Sequence, residues 1–266
     1  MNASVAKILR SVQVYFPFMQ DYKFRVRRGI RNLLNKTHEK DFEALSQLPF
    51  SANNLFLDIG SNRGEAIQSI LMRRPDAKII AFEPNSYLTE KVKGIYKNDP
   101  RVSVRNVGLG SADGSFELFI PFYNDFMFDG LASFKEERAR GWLQGRLYGF
   151  NSKRLEIKKL VCQVKRLDDL DLAPYFIKID VQGFEYDVLL GAKNTLIKNK
   201  PILLIETPAQ DERDFLHSLG YETFIYKNSK FVPGTEGLNV FFLPEETRRS
   251  LSNSAKTNLH SSVPAI

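Results

Sequence analysis

The chain has 266 residues, of which 43% are hydrophobic and 26% charged, values typical of a folded globular protein rather than a disordered one. Its apolar runs fall short of the roughly 20 residues that a membrane-spanning helix needs, and its first residues lack the pattern of a secretory signal. The single cysteine, Cys162, cannot form an internal disulfide, which is typical of a reducing compartment. We therefore expect a cytoplasmic protein.

The formal net charge of +7 lies within residues 1–40, which hold nine Lys/Arg and two Asp/Glu, whereas the remainder holds 29 of each. Residues 1–44 predict a basic arm of one or two helices, broken near Pro17. Because its basic residues alternate with Val26, Ile30 and Leu33, residues 1–40 could contact an anionic membrane or an acidic partner. The alternative is a helix packed on the domain with its basic face in water. No motif indicates specific nucleic-acid binding.

Apolar runs alternate with helical patterns over residues 45–245, which predicts an α/β domain. The predicted strands of the main sheet are 55–58, 79–82, 102–107, 176–180, 201–206, 221–226 and 238–243. The alternating run 115–120, after a turn signal at Asp113-Gly114, and the segment 155–164 are also predicted to be strands. The long aromatic stretch 121–154 predicts an insertion that could form a lid or substrate wall beside the sheet. Residues 246–266 are rich in Ser, Asn and Thr and predict a disordered tail.

Four of these predicted strands end in an acid, or are followed by one, at the same edge of the sheet. The four acids are Asp58, Glu83, Asp180 and Glu206. In an open α/β sheet, ligands bind outside the carboxyl ends of the strands. The convergence of four acids there predicts a functional site.

The glycine spacing after the first strand indicates which cofactor this site binds. A dinucleotide site needs G-x-G-x-x-G, but here Asp58 stands where the first glycine would be, followed by Gly60 and Gly64. A carboxylate would repel a pyrophosphate, whereas it suits the ammonium and sulfonium of S-adenosylmethionine. Glu83 follows the second predicted strand, at a distance from Gly64 where an acid can accept hydrogen bonds from ribose hydroxyls. We therefore predict S-adenosylmethionine as the cofactor and consider a nicotinamide oxidoreductase the least favoured class.

Three segments resemble the FkbM-type S-adenosylmethionine-dependent methyltransferases. They are residues 58–64 (Asp-Ile-Gly-Ser-Asn-Arg-Gly), 82–84 (Phe-Glu-Pro) and 178–185 (Lys-Ile-Asp-Val-Gln-Gly-Phe-Glu), of which the third is the most discriminating. Residues 188–192 and 205–206 also follow the family's pattern, and the resemblance extends over residues 53–243. It implies a Rossmann-like class I methyltransferase fold, with a seven-stranded, mostly parallel sheet and helices on both faces. It also implies, most often, methylation of a hydroxyl on a sugar or secondary metabolite.

The resemblance implies roles for individual residues around the cofactor. Asp58 and the loop after it would hold the methionine end, and Glu83, followed by Pro84, would hold the ribose. Asn106 or Val107, at the end of the third strand, would border the adenine. The loop residues assigned to the cofactor are Gly60, Ser61, Asn62 and Gly64.

Lys178 and Asp180 would face the transferred methyl and the acceptor. Asp180 is the first candidate for the base that receives the hydroxyl proton. Lys178 could instead lower the pKa of the acceptor, orient Asp180, or form an ordinary salt bridge. Glu206 could share Mg²⁺ with Asp180 or support it as a second acid, and we assign no metal ligand.

The leading interpretation is O-methylation of a sugar, glycan or other small-molecule hydroxyl. One alternative is a nucleic-acid methyltransferase acting on ribose, although no Asn/Asp-Pro-Pro-aromatic cluster follows Ile179. Another is a non-catalytic scaffold that binds the cofactor, because intact binding motifs do not demonstrate turnover.

Overall fold

The computed structural model describes residues 3–51 and 54–260. Within these residues, eight strands form one twisted sheet. They are β1 (Leu55–Ile59), β2 (Lys78–Phe82), β3 (Val102–Arg105), β8 (Pro174–Ile179), β9 (Ile202–Glu206), β10 (Glu222–Lys227), β11 (Lys230–Pro233) and β12 (Asn239–Leu243). Their order across the sheet is β11-β10-β12-β9-β8-β1-β2-β3. The five strands from β9 to β3 are parallel, whereas β12, β10 and β11 pair antiparallel. This is the predicted Rossmann-like α/β fold.

A second, smaller sheet has four strands, and two of them contain the segments 115–120 and 155–164, which the sequence predicts to be strands. Its strands are β4 (Gly108–Leu109), β5 (Gly114–Tyr123), β6 (Phe126–Met127) and β7 (Leu155–Lys165), in the order β4-β7-β5-β6. Strands β5 and β7 form a long antiparallel pair from Gly114↔Val164 to Tyr123↔Leu155. The segment between β6 and β7 packs an aromatic cluster around Phe126 and Phe128. The predicted insertion is therefore supported by the antiparallel pair of β5 and β7 rather than by the large sheet.

Helices cover both faces of the large sheet. The helices of the described residues are α1 (Ala3–Gln13), α2 (Met19–Leu34), α3 (Glu65–Arg73), α4 (Ser86–Tyr96), α5 (Glu136–Gly141), α6 (Glu185–Gly191), α7 (Lys193–Asn199), α8 (Gln210–Ser218) and α9 (Glu245–His260), and the longest 3₁₀ segment is Lys40–Gln47. On one face, α3 and the 3₁₀ segment pack against Phe56, Phe176 and Leu204. On the other face, α6, α7 and α8 pack against Leu57, Ile177 and Leu203. The alternation of side chains along each strand supplies both cores. None of the helices in these residues is both long and apolar enough to cross a bilayer.

The prediction of seven strands is wrong by one, because the chain makes a further hairpin between β10 and β11. Asn228 and Ser229 both have positive φ, of 51° and 59°, which is the conformation of a two-residue type I′ turn. Glycine usually marks such turns, so the Lys-Asn-Ser-Lys sequence gives little indication of a hairpin. Strand β11 consequently extends the antiparallel end of the sheet.

The segment after residue 245 is helical as far as His260, so the prediction of disorder is wrong for that part of the tail. Glu245 and Glu246 occupy the first turn of α9, where their charges favour the helix N-terminus. Leu251 packs on the main core, and Arg248 forms an ion pair with Glu222 at 2.6 Å. The composition of this segment does not reveal these tertiary contacts, which stabilise the helix. Residues 261–266 of the predicted tail lie outside the described residues.

The N-terminal arm is helical and interrupted around Pro17, as predicted. It packs on the domain through Val14, which is buried in the aromatic cluster of the insertion, and otherwise through polar side chains. Arg28 Nη1 donates to the Tyr96 hydroxyl at 2.8 Å, and Gln68 Nε2 donates to the Arg28 carbonyl at 2.9 Å. Arg31 forms an ion pair with Glu65 of α3. Part of the positive charge of the arm is therefore engaged in contacts with the domain. The boundary placed at residue 44 stays a prediction.

Candidate active site

The predicted acids meet where β1, β2, β8 and β9 end at one edge of the sheet. The register pairs Asp58 with Lys178 on neighbouring strands, so both side chains project from the same face. Asp180 follows β8, and Glu206 closes β9. The sequence pattern therefore predicts this convergence correctly.

Gly60 brings the first loop into contact with the chain after β8. Its φ is +82°, and a Cβ at this position would overlap the carbonyl oxygen of Asp180 and lie 2.8 Å from its carbonyl carbon. The backbone N–H of Gly60 donates to the Phe82 carbonyl at 2.9 Å, and that of Asp180 donates to the Ile59 carbonyl at 3.0 Å. These bonds fix the ends of three strands against one another. Only glycine fits this backbone crossing.

Asp58 is fully buried, and neither of its carboxylate oxygens has a hydrogen-bond partner within the described chain. Burial raises the pKa of Asp58 to about 6, against the influence of Lys178 on the next strand. An unsatisfied buried carboxylate is costly unless a ligand or water supplies a donor. A cationic group bound near the loop suits this position. The residues present therefore fit a cofactor that carries an ammonium.

Glu83 organises the adjoining part of the site. One carboxylate oxygen accepts from the backbone N–H of Asn62 at 2.7 Å, and the other accepts from the N–H of Asn85 at 2.9 Å. Burial raises the pKa of Glu83 to about 7, although both N–H donors favour the charged form. A carboxylate has about four acceptor positions, so two remain for hydroxyl donors. This arrangement can hold a ribose.

A pocket opens between the glycine loop, Glu83 and the insertion, and we call it the cofactor pocket. Of the predicted cofactor residues, Gly60, Asn62, Glu83 and Pro84 line it, together with the predicted base Asp180. Apolar walls come from residues that the sequence reasoning did not single out, in keeping with a purine ring. They are Leu88, Leu109, Leu118 and Phe134.

The other predicted cofactor residues lie outside the lining of this pocket. The hydroxyl of Ser61 is buried. Gly64 immediately precedes α3 with φ +72°, and a Cβ there would lie against Val92 and Tyr96. Asn106 Nδ2 donates to the carbonyls of Glu83 and Pro84 at 2.9 and 3.1 Å, so it shapes the loop. After the third strand, the pocket is lined by Gly108 and Leu109, which directly follow Val107 in the sequence. The roles of Asp58, Ser61, Gly64, Asn106 and Val107 toward the cofactor stay predictions.

Asp129, from the insertion, is a lining residue that the sequence analysis missed. Arg63 of the glycine loop forms an ion pair with Asp129 and a second one with Asp21 of α2 at 2.7 Å. The insertion was predicted as a wall of the site, but nothing in its composition marked this carboxylate. The arginine ties the loop, the insertion and the arm together.

Lys178, Asp180, Gln182 and Glu206 form a hydrogen-bonded chain beside the cofactor pocket. Lys178 Nζ lies 3.0 Å from Asp180 Oδ2, and Gln182 Nε2 donates to Asp180 Oδ1 at 2.8 Å. The same amide donates to Glu206 Oε2 at 3.3 Å. The structure thus brings all three predicted catalytic residues together. It adds Gln182, whose φ of 53° is unusual for a residue other than glycine.

The two carboxyl groups of this chain differ in acidity. Burial by itself would raise the pKa of Asp180, but the charge of Lys178 and the hydrogen bonds from Glu206, Lys178 and Gln182 together outweigh it and lower that pKa below the usual value. Burial and the neighbouring Asp180 raise the pKa of Glu206 to about 8. Asp180 is therefore ionised at neutral pH, whereas Glu206 is largely protonated. An environment that separates two carboxyl pKa values in this way is typical of acid–base sites.

Glu206→Gln is expected to raise the melting temperature relative to wild type, by an amount that grows between pH 5 and pH 8. In the unfolded chain Glu206 loses its proton near pH 4.5, whereas in the folded chain it keeps the proton up to about pH 8. The wild type therefore loses stability as pH rises through this window, and glutamine does not titrate. Thermal melts at half-unit pH steps measure the difference. A difference that is constant with pH would contradict the assignment.

A second, more polar cleft adjoins the cofactor pocket at Gln182. It is lined by Lys135, Arg138, Gln182, Glu206 and Thr207, among other residues. Arg138 lies over Gly183, where a side chain would collide with its guanidinium. A cleft rich in donors and acceptors suits a polar, hydroxylated molecule. Within the described residues, no group of three or more His, Cys, Asp or Glu side chains is arranged to hold a metal ion.

Comparison with known proteins finds relatives of this chain. The chain is 29% identical over 220 residues to the AMB antimetabolite synthetase AmbE of Pseudomonas aeruginosa, covering 70% of the chain and 10% of AmbE. It is 24% identical over 169 residues to the 2-O-methyltransferase NoeI of Sinorhizobium fredii, covering 55% of the chain and 60% of NoeI. The chain thus spans less than two thirds of each of these relatives.

Among solved structures, the methyltransferase FkbM of Methylobacillus flagellatus superposes with a TM-score of 0.47 at 18% identity, covering 74% of this chain and 47% of that one. An S-adenosylmethionine-dependent O-methyltransferase of Thermotoga maritima gives a TM-score of 0.37 at 10% identity, covering 76% and 63%. The family model described as the methyltransferase FkbM domain matches residues 58–223, which is more than half of the chain. The chain therefore belongs to the FkbM methyltransferase family.

Proposed function

We propose that the protein transfers the methyl group of S-adenosylmethionine to a hydroxyl of a sugar, glycan or other small polyol. One observation carries this proposal. The Gln182 amide donates to Asp180, which lines the cofactor pocket, and to Glu206, which lines the polar cleft. An ionised carboxylate therefore lies where the two cavities meet. A hydroxyl acceptor needs a proton acceptor at this junction.

The buried residues of the first loop support S-adenosylmethionine as the cofactor. The unsatisfied Asp58 carboxylate suits an ammonium, and Glu83 has acceptor positions left for ribose hydroxyls. When bound, the cofactor would supply a methyl group that is already activated by a positively charged sulfur. The protein's own task is then alignment, exclusion of water and removal of one proton.

In this mechanism Asp180 receives the hydroxyl proton of the acceptor. Lys178 keeps Asp180 ionised in the resting enzyme, and the Gln182 amide fixes the orientation of its carboxylate. Glu206, protonated at neutral pH, adds no second negative charge beside the base. Donors and acceptors of the polar cleft hold the rest of the acceptor. The relative NoeI is named a 2-O-methyltransferase, which supports oxygen as the methylated atom.

The test is an incubation with methyl-labelled S-adenosylmethionine and a panel of acceptors: neutral glycans, other polyols, and a ribose-bearing oligonucleotide. We expect label in a methyl ether of a glycan or polyol, with one S-adenosylhomocysteine formed per ether. Label in the oligonucleotide alone would replace this proposal with ribose methylation. Cofactor binding with no turnover on any acceptor would favour the non-catalytic scaffold.

Glu83→Ala is expected to weaken S-adenosylmethionine binding by about tenfold to a hundredfold, because it removes the carboxyl group that would accept two hydrogen bonds from the ribose hydroxyls. Isothermal titration calorimetry measures the dissociation constant. Glu90→Ala is the matched control, since Glu90 lies on α4 with its side chain 72% exposed and forms an ion pair with Lys93. Equal affinity of the Glu83 variant and the control would remove Glu83 from the cofactor site.

A further inference from the structure

Helix α1 turns an apolar stripe away from the protein. Val5, Ile8, Leu9 and Val12 are 45%, 50%, 54% and 52% exposed, at the spacing that places them on one side of a helix. The other side faces the insertion, where Arg10 donates to the Arg146 carbonyl at 3.1 Å. A surface helix of a globular protein normally buries its apolar stripe. In α1 this orientation is reversed.

Helix α2 also turns its polar side toward the protein and its apolar side outward. Its inward side is polar: Gln20 donates to the Met127 carbonyl at 2.9 Å, and Arg28 and Arg31 bond to Tyr96 and Glu65. Its outward side carries the large apolar residues Met19, Tyr22, Val26, Ile30 and Leu33, of which Leu33 is 85% exposed. Their spacing of three or four residues makes a continuous stripe along the helix. Polar contacts hold α2 to the domain and leave its apolar side uncovered.

The two stripes join through an aromatic turn. Tyr15, Phe16 and Phe18 connect α1 to α2 and are 61%, 45% and 77% exposed. Of the 21 large hydrophobic residues exposed in the described part of the chain, 13 lie between residues 5 and 34. We call this surface the arm face: the exposed apolar residues of α1, α2 and their connecting turn. A contiguous apolar surface of this kind marks an interaction site.

Positive charge flanks the arm face. Arg25, Arg27 and Lys36 are exposed along or just after α2. The one acid within α2, Asp21, is bound by Arg63 and Lys91. Residues 1–40 hold the whole net charge of the chain. The surface is therefore apolar, aromatic and basic at the same time.

We propose that the arm face docks the enzyme on an anionic lipid membrane. The helices lie in the plane of the interface, with the apolar stripes among the upper acyl chains and the basic residues at the headgroups. Aromatic side chains such as Tyr15 and Tyr22 favour this boundary. Neither helix can span the bilayer. A second copy of the chain is a poorer partner, because two arms of the same positive charge repel each other.

The experiment is flotation of the full chain with vesicles of neutral phosphatidylcholine and with vesicles that mix two parts of phosphatidylcholine with one part of anionic phosphatidylglycerol. We expect at least about tenfold tighter binding to the anionic vesicles, lost progressively as salt is raised, since each basic residue near such a surface contributes about fivefold. Arg25→Glu with Arg27→Glu should weaken the binding at least tenfold. The matched control is Lys198→Glu with Lys230→Glu, which reverses the charge of two exposed lysines outside the arm.

The apolar contribution is tested separately with Tyr22→Ser, Ile30→Ser and Leu33→Ser combined. This variant should bind anionic vesicles at least tenfold more weakly, whereas Val161→Ser, Val232→Ser and Leu238→Ser combined should bind like wild type, because these exposed residues lie elsewhere. Thermal melts confirm that each variant is folded. Equal binding to both vesicle types, or no loss in the arm variants, overturns the proposal. A dimer in sedimentation velocity that the serine variant abolishes assigns the face to a second copy instead.

Discussion

Replacing Gly60 with alanine is expected to destroy the cofactor pocket and to lower the melting temperature by about 10 °C or more. The added methyl group would overlap the carbonyl oxygen of Asp180, so the ends of β1 and β8 would have to separate. The residue would also hold a φ of +82°, which alone costs about 1–2 kcal/mol. Thermal melting and S-adenosylmethionine titration measure the two effects, and we expect no detectable binding.

Gly220→Ala separates the steric effect from the conformational one. Gly220 has a nearly identical φ of +85°, but nothing lies within 4 Å of a Cβ built there. Its substitution should lower the melting temperature by only a few degrees and leave binding unchanged. Equal losses in the two variants would show that the close approach of Gly60 to Asp180 is unimportant.

Asp180→Asn is expected to reduce kcat by about 10²- to 10⁴-fold, the usual contribution of a general base, with the cofactor dissociation constant changed by less than about threefold. The asparagine keeps the shape and accepts from Gln182 but cannot take up the acceptor proton at neutral pH. Steady-state kinetics with the best acceptor from the panel, together with calorimetry, separates turnover from binding.

The substitution also leaves the buried Lys178 ammonium without its carboxylate, which by itself could lower activity through instability. Asp180→Asn combined with Lys178→Met removes both members of the pair and should recover the melting temperature. We expect the double variant to remain inactive. If it regained wild-type kcat, Asp180 would serve only to neutralise Lys178.

The site edge could be predicted from the sequence because short-range patterns determine it. Apolar runs that stop at Asp58, Glu83, Asp180 and Glu206 indicate strands, and parallel strands bring their carboxyl ends to one edge. The glycine loop carries its own signal, since Gly60 and its positive φ are needed wherever the backbone crosses so closely. The role of Gln182 could not be predicted in this way, because it depends on a hydrogen bond to Glu206, which lies at the end of a different strand.

Features that depend on long-range contacts were not predictable. The turn at Asn228 and Ser229 lacks glycine, so β11 gave no signal, and α9 depends on Leu251 reaching the main core. The cofactor pocket takes Asp129 and Phe134 from an insertion whose path the sequence does not specify.

The arm shows a further limit of pattern reading. An amphipathic pattern identifies two faces of a helix but not which face turns toward the protein. In α2 the inward orientation follows from partners such as Glu65 on α3 and Tyr96 on α4, which are distant from it along the chain. The arrangement leaves the apolar stripe outside, opposite to the usual expectation.

The most direct test of the central claim is calorimetric titration of the purified full chain with S-adenosylmethionine, with NAD as the control ligand. We predict one site per chain with a micromolar dissociation constant for S-adenosylmethionine, and no measurable heat with NAD. Saturable binding of NAD alone, or no binding of S-adenosylmethionine by a protein that melts cooperatively, would contradict the assignment of Asp58 and Glu83 to this cofactor.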